Sequence, residues 1–322
     1  MSHRTSLLLA LAATLAAPAG AQLVTVDPSI APYQKTTGVG GNINSIGSDT
    51  MVNLMTLWGE GFQKNYPGVR IQVEGKGSST APPALIAGTA QLGPMSREMK
   101  ATEVDQFEAK FGYPPLQFQV AVDALAVYVH KDNPLEQLTL AQVDAIFSKT
   151  RNCGAPKDFA NWAELGLSGP WTKRPISMYG RNSASGTYGY FKTAALCEGD
   201  YKDTVKEQPG SASVVQGITE DIAGIGYSGI GYRTSGVKTI QLAKKEGGPY
   251  ANTDTASVLS GDYPLARMLY VYINRKPGAA LDPLTREFLK FVLSSDGQQT
   301  VIKDGYLPLP ADVVTAELAK LQ

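Results

Sequence analysis

The sequence contains very little histidine or cysteine, with two residues of each among its 322. His3 falls in an N-terminal segment that we predict to be removed, which leaves His130. A single histidine excludes His-His zinc sites, and a Ser-His-Asp triad would have to use His130. The GKGSST segment lacks the upstream glycine of a nucleotide-hydrolase phosphate loop, and no Gly-x-Ser-x-Gly nucleophile elbow is found. We therefore expect no metal, no cofactor and no enzymatic activity.

An excess of charge is also missing, because 29 basic residues balance 29 acidic ones and only 18% of residues are charged. Bulk binding to nucleic acid needs a basic excess that neutralises phosphates along the duplex, so we expect no nucleic-acid partner. A balanced charge does not exclude one small anion held in a pocket. The length suits one large domain or two medium ones.

Apolar runs long enough to suggest a membrane span are also missing, and residues 1–21 read as a secretory signal peptide. Its apolar stretch is too short to cross a bilayer, and residues 19–21 fit the small-x-small cleavage rule. We predict export to the periplasm, and leave a fully extracellular location open. In an oxidising compartment Cys153 and Cys197 are expected to form a disulfide, the alternative being two free buried thiols.

Strand-like and helix-like segments alternate after residue 41, which predicts an α/β fold with largely parallel sheets. Residues 22–41 are polar and glycine-rich without periodicity, and we predict a loose N-terminal segment there. The apolar runs Val120–Val129 and Met268–Ile273 are candidates for strands that cross between two lobes, although ordinary central strands would look the same. Two lobes joined by strands would place a ligand in the cleft between them.

The most informative pattern is a strand-to-helix turn that occurs three times, as GSDTM (47–51), GKGSST (75–80) and GRNSASGT (180–187). Glycine lets the backbone turn tightly, and Ser, Thr or Asp supplies a capping oxygen. The helix start presents unpaired N–H groups and partial positive charge, which attract an anion. One such turn is usually only structural. Three together, one of them carrying Arg181, predict a site for a small tetrahedral oxyanion.

The order of GSDTM, GKGSST, LGPMSRE and GRNSASGT resembles the periplasmic phosphate-binding proteins of bacterial phosphate ABC transporters, over nearly the whole chain after residue 21. The resemblance implies a two-lobed periplasmic-binding-protein fold of type II, in which each lobe is a mostly parallel sheet flanked by helices and hinge strands join the lobes. Lobe 1 would contain residues 42–122 and 267–322, and lobe 2 residues 123–266. The implied function is high-affinity binding of inorganic phosphate in the inter-lobe cleft, by a monomer that delivers it to a membrane permease.

The resemblance also implies a ligand set, in which some residues act through backbone N–H groups. By position, the phosphate ligands are Thr50, Met51, Ser78, Ser96, Arg181, Ser185, Gly186 and Thr187.

One position departs from the family pattern. Many members have an Asp where this chain has Ser96, and that Asp accepts the proton of hydrogen phosphate, which sulfate lacks. Either Asp49 or Asp123 takes this role, or the protein discriminates less well. Asp49 would equally suit a helix N-cap, and Ser48 is a further possible ligand.

Three other functions remain open from the sequence. A receptor for sulfate or another tetrahedral oxyanion would have the same fold. A secreted phosphoester hydrolase with a Ser or Thr nucleophile has no evident base beyond His130. In an extracellular interaction or matrix protein, the anion site would be vestigial and would no longer bind a ligand.

Overall fold

The computed structural model describes residues 24–322, so the predicted signal peptide, 1–21, lies outside the described residues. Residues 24–41 contain no helix or strand. The segment is nevertheless anchored, because Ile30 is buried and the Tyr33 backbone N–H donates to the Asp296 carboxylate at 2.8 Å. The Tyr33 hydroxyl also donates to the Glu287 carboxylate at 3.0 Å.

Strands and helices alternate through most of the described chain. The strands are β1 (Asn42–Gly47), β2 (Arg70–Gly75), β3 (Gly93–Met95), β4 (Leu116–His130), β5 (Gln137–Thr139), β6 (Ser177–Arg181), β7 (Lys206–Gln208), β8 (Gly224–Gly229), β9 (Val237–Thr239), β10 (Gln241–Ala243) and β11 (Ala266–Ile273). The α-helices are α1 (Val52–Asn65), α2 (Ala81–Ala87), α3 (Ala101–Phe111), α4 (Leu140–Phe147), α5 (Gly186–Leu196), α6 (Ser211–Glu220), α7 (Thr255–Leu259), α8 (Pro283–Leu293), α9 (Ser295–Lys303) and α10 (Ala311–Ala319). Short 3-10 turns at Asp49–Met51 and Ser78–Thr80 precede α1 and α2.

The central sheet has the strand order β3-β11-β4-β8-β6-β7, with β9 also paired to β4. The predicted α/β periplasmic-binding-protein fold is confirmed, but the central sheet is mixed in direction rather than largely parallel as predicted. The β1–β2, β6–β7 and β6–β8 pairs are parallel, as helix crossovers require. The pairs that β4 and β11 make with β3, β8, β9 and each other are antiparallel, because these two strands run back along the sheet.

The strand β4 belongs to both sides of the sheet. Its residues up to Ala124 pair with β11, whereas its residues from Leu125 onward pair with β8. The strand is buried continuously from Val120 to Val129, which explains why the sequence there is an unbroken apolar run. We call the side with β1, β2, β3 and β11 lobe 1, and the side with β6, β7, β8 and β9 lobe 2. The residue boundaries given above for the lobes stay predictions.

Helix starts follow the capping chemistry of the sequence. Ser185 caps α5, and Thr139 forms a capping box with Gln142 at the start of α4. The two prolines after GKGSST occupy the first turn of α2, where a missing N–H costs little.

The predicted disulfide is confirmed: Cys153 and Cys197 are joined, with their Cα atoms 5.4 Å apart. The bridge ties the loop after α4 to the residue that follows α5. In residues 24–322, no helix combines the length and the apolar character needed to cross a bilayer.

Candidate functional site

The three predicted turns meet at one place between the lobes. The first two follow the adjacent parallel strands β1 and β2, and the Gly77 backbone N–H donates to the Gly47 carbonyl at 2.9 Å. The third follows β6 in lobe 2, and its Ala184 carbonyl accepts the Ser79 backbone N–H at 3.1 Å. A backbone hydrogen bond therefore joins the second turn in lobe 1 to the third turn in lobe 2.

Four buried hydroxyl groups lie at this meeting point. Thr50 Oγ1 is 2.9 Å from Thr187 Oγ1, so the first and third turns are in contact across the cleft. Ser78 Oγ is 3.3 Å from Ser96 Oγ and accepts the Ser96 backbone N–H at 3.0 Å. All four side chains are almost completely inaccessible to solvent. Hydroxyl groups both donate and accept, so the cluster can turn its protons toward an anion.

The backbone carbonyl of Thr50 accepts hydrogen bonds from two tyrosine hydroxyl groups that are distant in sequence. Tyr306 donates to the Thr50 carbonyl at 2.9 Å, and Tyr232 donates to the same carbonyl at 3.2 Å. The Met51 backbone N–H, predicted as a ligand, donates to the Ser48 carbonyl at 3.3 Å. The Ser48 hydroxyl is buried and has no hydrogen-bond partner among the described residues.

The start of α5 packs directly on the serine pair. A side-chain carbon added to Gly186 would overlap both Ser78 Oγ and Ser96 Oγ, so only glycine permits this approach. The Ser185 hydroxyl accepts the backbone N–H groups of Thr187 at 3.1 Å and Tyr188 at 3.4 Å. Ser185 thus acts as the N-cap of α5 at the edge of the hydroxyl cluster.

Arg181 is a buried cation at the end of β6, with 1% of its side chain exposed. Its Nη1 donates to Ser211 Oγ at 2.8 Å, and its Nη2 lies 3.0 Å from Asp49 Oδ2. Its Nε has no acceptor among the described residues. Burial lowers the pKa of the Arg181 guanidinium, and the Asp49 carboxylate opposes that shift. A buried guanidinium N–H without an acceptor is costly, and an anion oxygen would satisfy it.

Asp49 is not a helix N-cap, so that alternative is wrong. Its Oδ2 accepts the backbone N–H of Ser211 at 2.8 Å and the Ser211 hydroxyl at 3.1 Å. These donors, like Arg181, belong to lobe 2, so a lobe 1 carboxylate is bound at the start of α6. Arg181 adds a full positive charge to these two donors, which the local N-cap position does not offer to the carboxylate.

Asp123 has a charged partner that the sequence reasoning missed. Arg267 donates to Asp123 Oδ2 through Nε at 3.0 Å and Nη2 at 2.7 Å. The other carboxylate oxygen accepts the Ile230 backbone N–H at 3.1 Å. The sequence does mark Arg267 in one way, because it is the single charged residue in the apolar run ARMLYVYI.

The arrangement is therefore a buried inter-lobe site with hydroxyl groups, helix starts and two Arg–Asp pairs. The formal charges of the two pairs cancel, so attraction for an anion must come from directed hydrogen bonds and helix N-termini. The structure brings Thr50, Ser78, Ser96, Gly186 and Thr187 into one cluster. Arg181 and Asp49 lie together beside α6, and Asp123 lies behind Arg267.

Comparison with known proteins agrees with this architecture. A model of the PBP superfamily domain matches residues 31–296. The phosphate-binding protein PstS of Pseudomonas aeruginosa is 56% identical over 303 residues, which cover 94% of each chain.

Solved structures show the same fold. A candidate phosphate ABC transporter substrate-binding protein from Clostridium perfringens, with bound phosphate, aligns with a TM-score of 0.70 at 24% identity, covering 84% of this chain and all of that one. An ABC-type phosphate transport receptor from Vibrio cholerae aligns with a TM-score of 0.64 at 23% identity, covering 83% of this chain and all of that one.

Proposed function

We propose that this chain binds inorganic phosphate between its lobes and delivers it to an ABC permease. The chain belongs to the phosphate-binding protein family of the PBP superfamily, and the proposal starts from that fact. The observation that carries the proposal is the convergence of three helix-start turns, from both lobes, on a buried cluster of hydroxyl groups. Arg181, which ends the strand before the third turn, is paired with Asp49 of the first turn. A tetrahedral oxyanion offers several acceptor oxygens in different directions, and this cluster offers donors from several directions.

The proposed ligands are the set implied by the resemblance. The hydroxyl groups of Thr50, Ser78 and Thr187 would exchange their mutual hydrogen bonds for bonds to phosphate oxygens. The unpaired Nε of Arg181 supports its role as the charged donor. Since lobe 1 and lobe 2 both contribute donors, bound phosphate would favour the closed arrangement of the lobes.

A second candidate ligand is sulfate, and the observation that favours it is Ser96. This buried hydroxyl can donate as well as accept, so it does not reject a fully ionised oxyanion as a carboxylate would. Asp123 has donors on both oxygens, whereas only Oδ2 of Asp49 has hydrogen bonds, which leaves Asp49 the better proton acceptor of the two. Competition between phosphate and sulfate, measured across pH, separates the two ligands.

The proposal includes export through the predicted signal peptide, a monomeric state and the absence of catalysis. His130, the one histidine after that segment, lies at the far end of β4. Its Nδ1 accepts the Asp132 backbone N–H at 3.2 Å, a local role that does not favour a phosphoester hydrolase. Lack of turnover of a chromogenic phosphoester would agree with a binding protein.

The test of the proposed site is Arg181→Ala. We expect calorimetry to detect no phosphate binding by this variant, because each charged hydrogen bond to the anion contributes about 1.5–3 kcal/mol. Circular dichroism should show that the fold is retained. Arg233→Ala, which removes an exposed arginine of lobe 2, is the matched control and should bind as the wild type does. Unchanged phosphate affinity in Arg181→Ala would refute the site assignment.

A further inference from the structure

The Arg267–Asp123 pair lies on the adjacent strands β11 and β4, next to the point where the partner of β4 changes from β11 to β8. Arg267 on β11 and Asp123 on β4 are direct partners in the antiparallel register. Their side chains are 2% and 0% exposed. Because Asp123 also accepts the Ile230 backbone N–H, both of its oxygens are occupied and the guanidinium has a fixed anchor.

The remaining donors of Arg267 point into the phosphate site. Nη1 donates to the Ser96 carbonyl at 2.8 Å, and Nη2 donates to Thr187 Oγ1 at 3.0 Å. Ser96 follows β3 in lobe 1, whereas Thr187 lies at the start of α5 in lobe 2. One guanidinium therefore contacts ligand-bearing segments of both lobes.

The bond from Arg267 restricts where the Thr187 hydroxyl can donate. A hydroxyl carries a single proton, and one that accepts from Arg267 must direct its proton elsewhere. In this structure the nearest group in the site is Thr50 Oγ1, at 2.9 Å. Either hydroxyl can be the donor in that contact, and an anion in the cluster, which can only accept, would receive the Thr187 proton.

We infer that Arg267 is a positioning residue of the phosphate site: anchored on Asp123, it orients the Thr187 hydroxyl as a donor and holds the Ser96 segment against lobe 2. This assignment rests on the proposed function. This role requires the planar guanidinium group of arginine. The single ammonium nitrogen of a lysine cannot contact Asp123, Ser96 and Thr187 at the same time.

The test is a double-mutant cycle between Arg267 and Thr187, read by phosphate calorimetry. Thr187→Val keeps the shape of the side chain and removes the hydroxyl. Arg267→Met alone leaves the Asp123 carboxylate buried and unpaired, which endangers folding. The cycle is therefore repeated with Asp123→Leu and Arg267→Met combined, since a buried ion pair replaced by apolar side chains often leaves stability unchanged.

We expect the paired apolar replacement to fold and to bind phosphate about tenfold to a hundredfold more weakly than wild type. Thr187→Val should weaken binding clearly in the wild-type background and by less than about twofold in the apolar-pair background, because the hydroxyl has already lost its orientation there. Arg267→Lys should fold without recovering wild-type affinity. The exposed Arg233→Met serves as the control.

Two results would overturn the inference: phosphate affinity of the folded apolar-pair variant within about twofold of wild type, or an equal effect of Thr187→Val in both backgrounds. Either result would leave the proposed function standing. If the wild-type protein bound no phosphate, the proposed function itself would fail, and this assignment with it.

Discussion

The two buried Arg–Asp pairs of the site join residues that are far apart along the chain. Asp123 and Arg267 are 144 residues apart and form a pair with almost no exposure. Asp304, at the end of α9, is different, because its half-buried carboxylate has no hydrogen bond among the described residues. Burial raises the pKa of Asp304 to about 7. An unpaired carboxylate of this kind destabilises the fold once it is ionised.

Asp304→Asn should therefore stabilise the protein at pH 8. The folded state holds the Asp304 proton up to about pH 7, whereas the unfolded chain releases it near pH 4, so wild-type stability falls as the pH rises between these values. We expect a gain of about 1–2 kcal/mol for Asp304→Asn at pH 8, reduced by solvent screening at this partly exposed position.

Urea unfolding at pH 8 and at pH 4 measures this prediction. The gain should vanish at pH 4, where wild-type Asp304 is protonated in the folded state. Asp105→Asn, which replaces an exposed acid in α3, is the control for the substitution itself. An equal gain at both pH values would contradict the prediction.

The sequence singled out Asp123 because a carboxylate inside an apolar run is costly unless paired. It did not reveal Arg267, since the partner depends on the register of two strands far apart in the chain. The same limit applies to Asp49: its own turn favours a local cap, and only the approach of lobe 2 supplies the charged Arg181 together with the Ser211 backbone N–H.

Among the elements, the turns that start helices were the most predictable. Glycine, capping hydroxyls and first-turn prolines are local signals, and helix α5 begins where they indicate, with Ser185 as its cap. The contact between α5 and the serine pair is not local, because it brings Gly186 of lobe 2 against Ser78 and Ser96 of lobe 1. That close approach makes Gly186 a test of whether the closed arrangement is the one that binds.

Gly186→Ala should weaken phosphate binding by at least about tenfold while α5 remains folded, because alanine is a good helix former but its methyl group would overlap the serine hydroxyls. Calorimetry measures the affinity, and circular dichroism the helix content. Gly189→Ala on the same helix is the control. Its added carbon would lie 3.4 Å from Arg97 Cδ, a distance at which the flexible side chain can adjust. Similar affinities for the two variants would contradict the prediction.

At the scale of the whole molecule, two strands and one disulfide determine how the parts are connected. The strand β4 is 15 residues long and pairs with both sides of the sheet. The apolar runs at 120–129 and 268–273 pointed to these strands. The sequence did not predict that the two strands are antiparallel, because the composition of an apolar strand does not depend on its direction. The disulfide was predictable from two cysteines and an oxidising compartment.

Replacement of Cys153 and Cys197 by serine should lower the free energy of unfolding by about 3–4 kcal/mol, since the bridge closes a loop of 44 residues. Phosphate affinity should stay within about twofold of wild type, because the bridge lies at the opposite end of α5 from Thr187. Denaturant unfolding and calorimetry measure the two quantities. A large loss of affinity in the folded variant would show that the bridge also shapes the site.

The place of β11 between β3 and β4 limits the order in which the strands can pair as the chain folds from its N-terminus. The strands β6, β7, β8 and β9 all precede β11, so they can pair before the strand that separates β3 from β4 is present. Lobe 2 can close its hydrogen-bond ladder early, whereas lobe 1 must wait with β3 and one edge of β4 open until the last segment arrives. A chain cut short before Ala266 would keep those edges exposed, which makes truncated products of this protein prone to self-association.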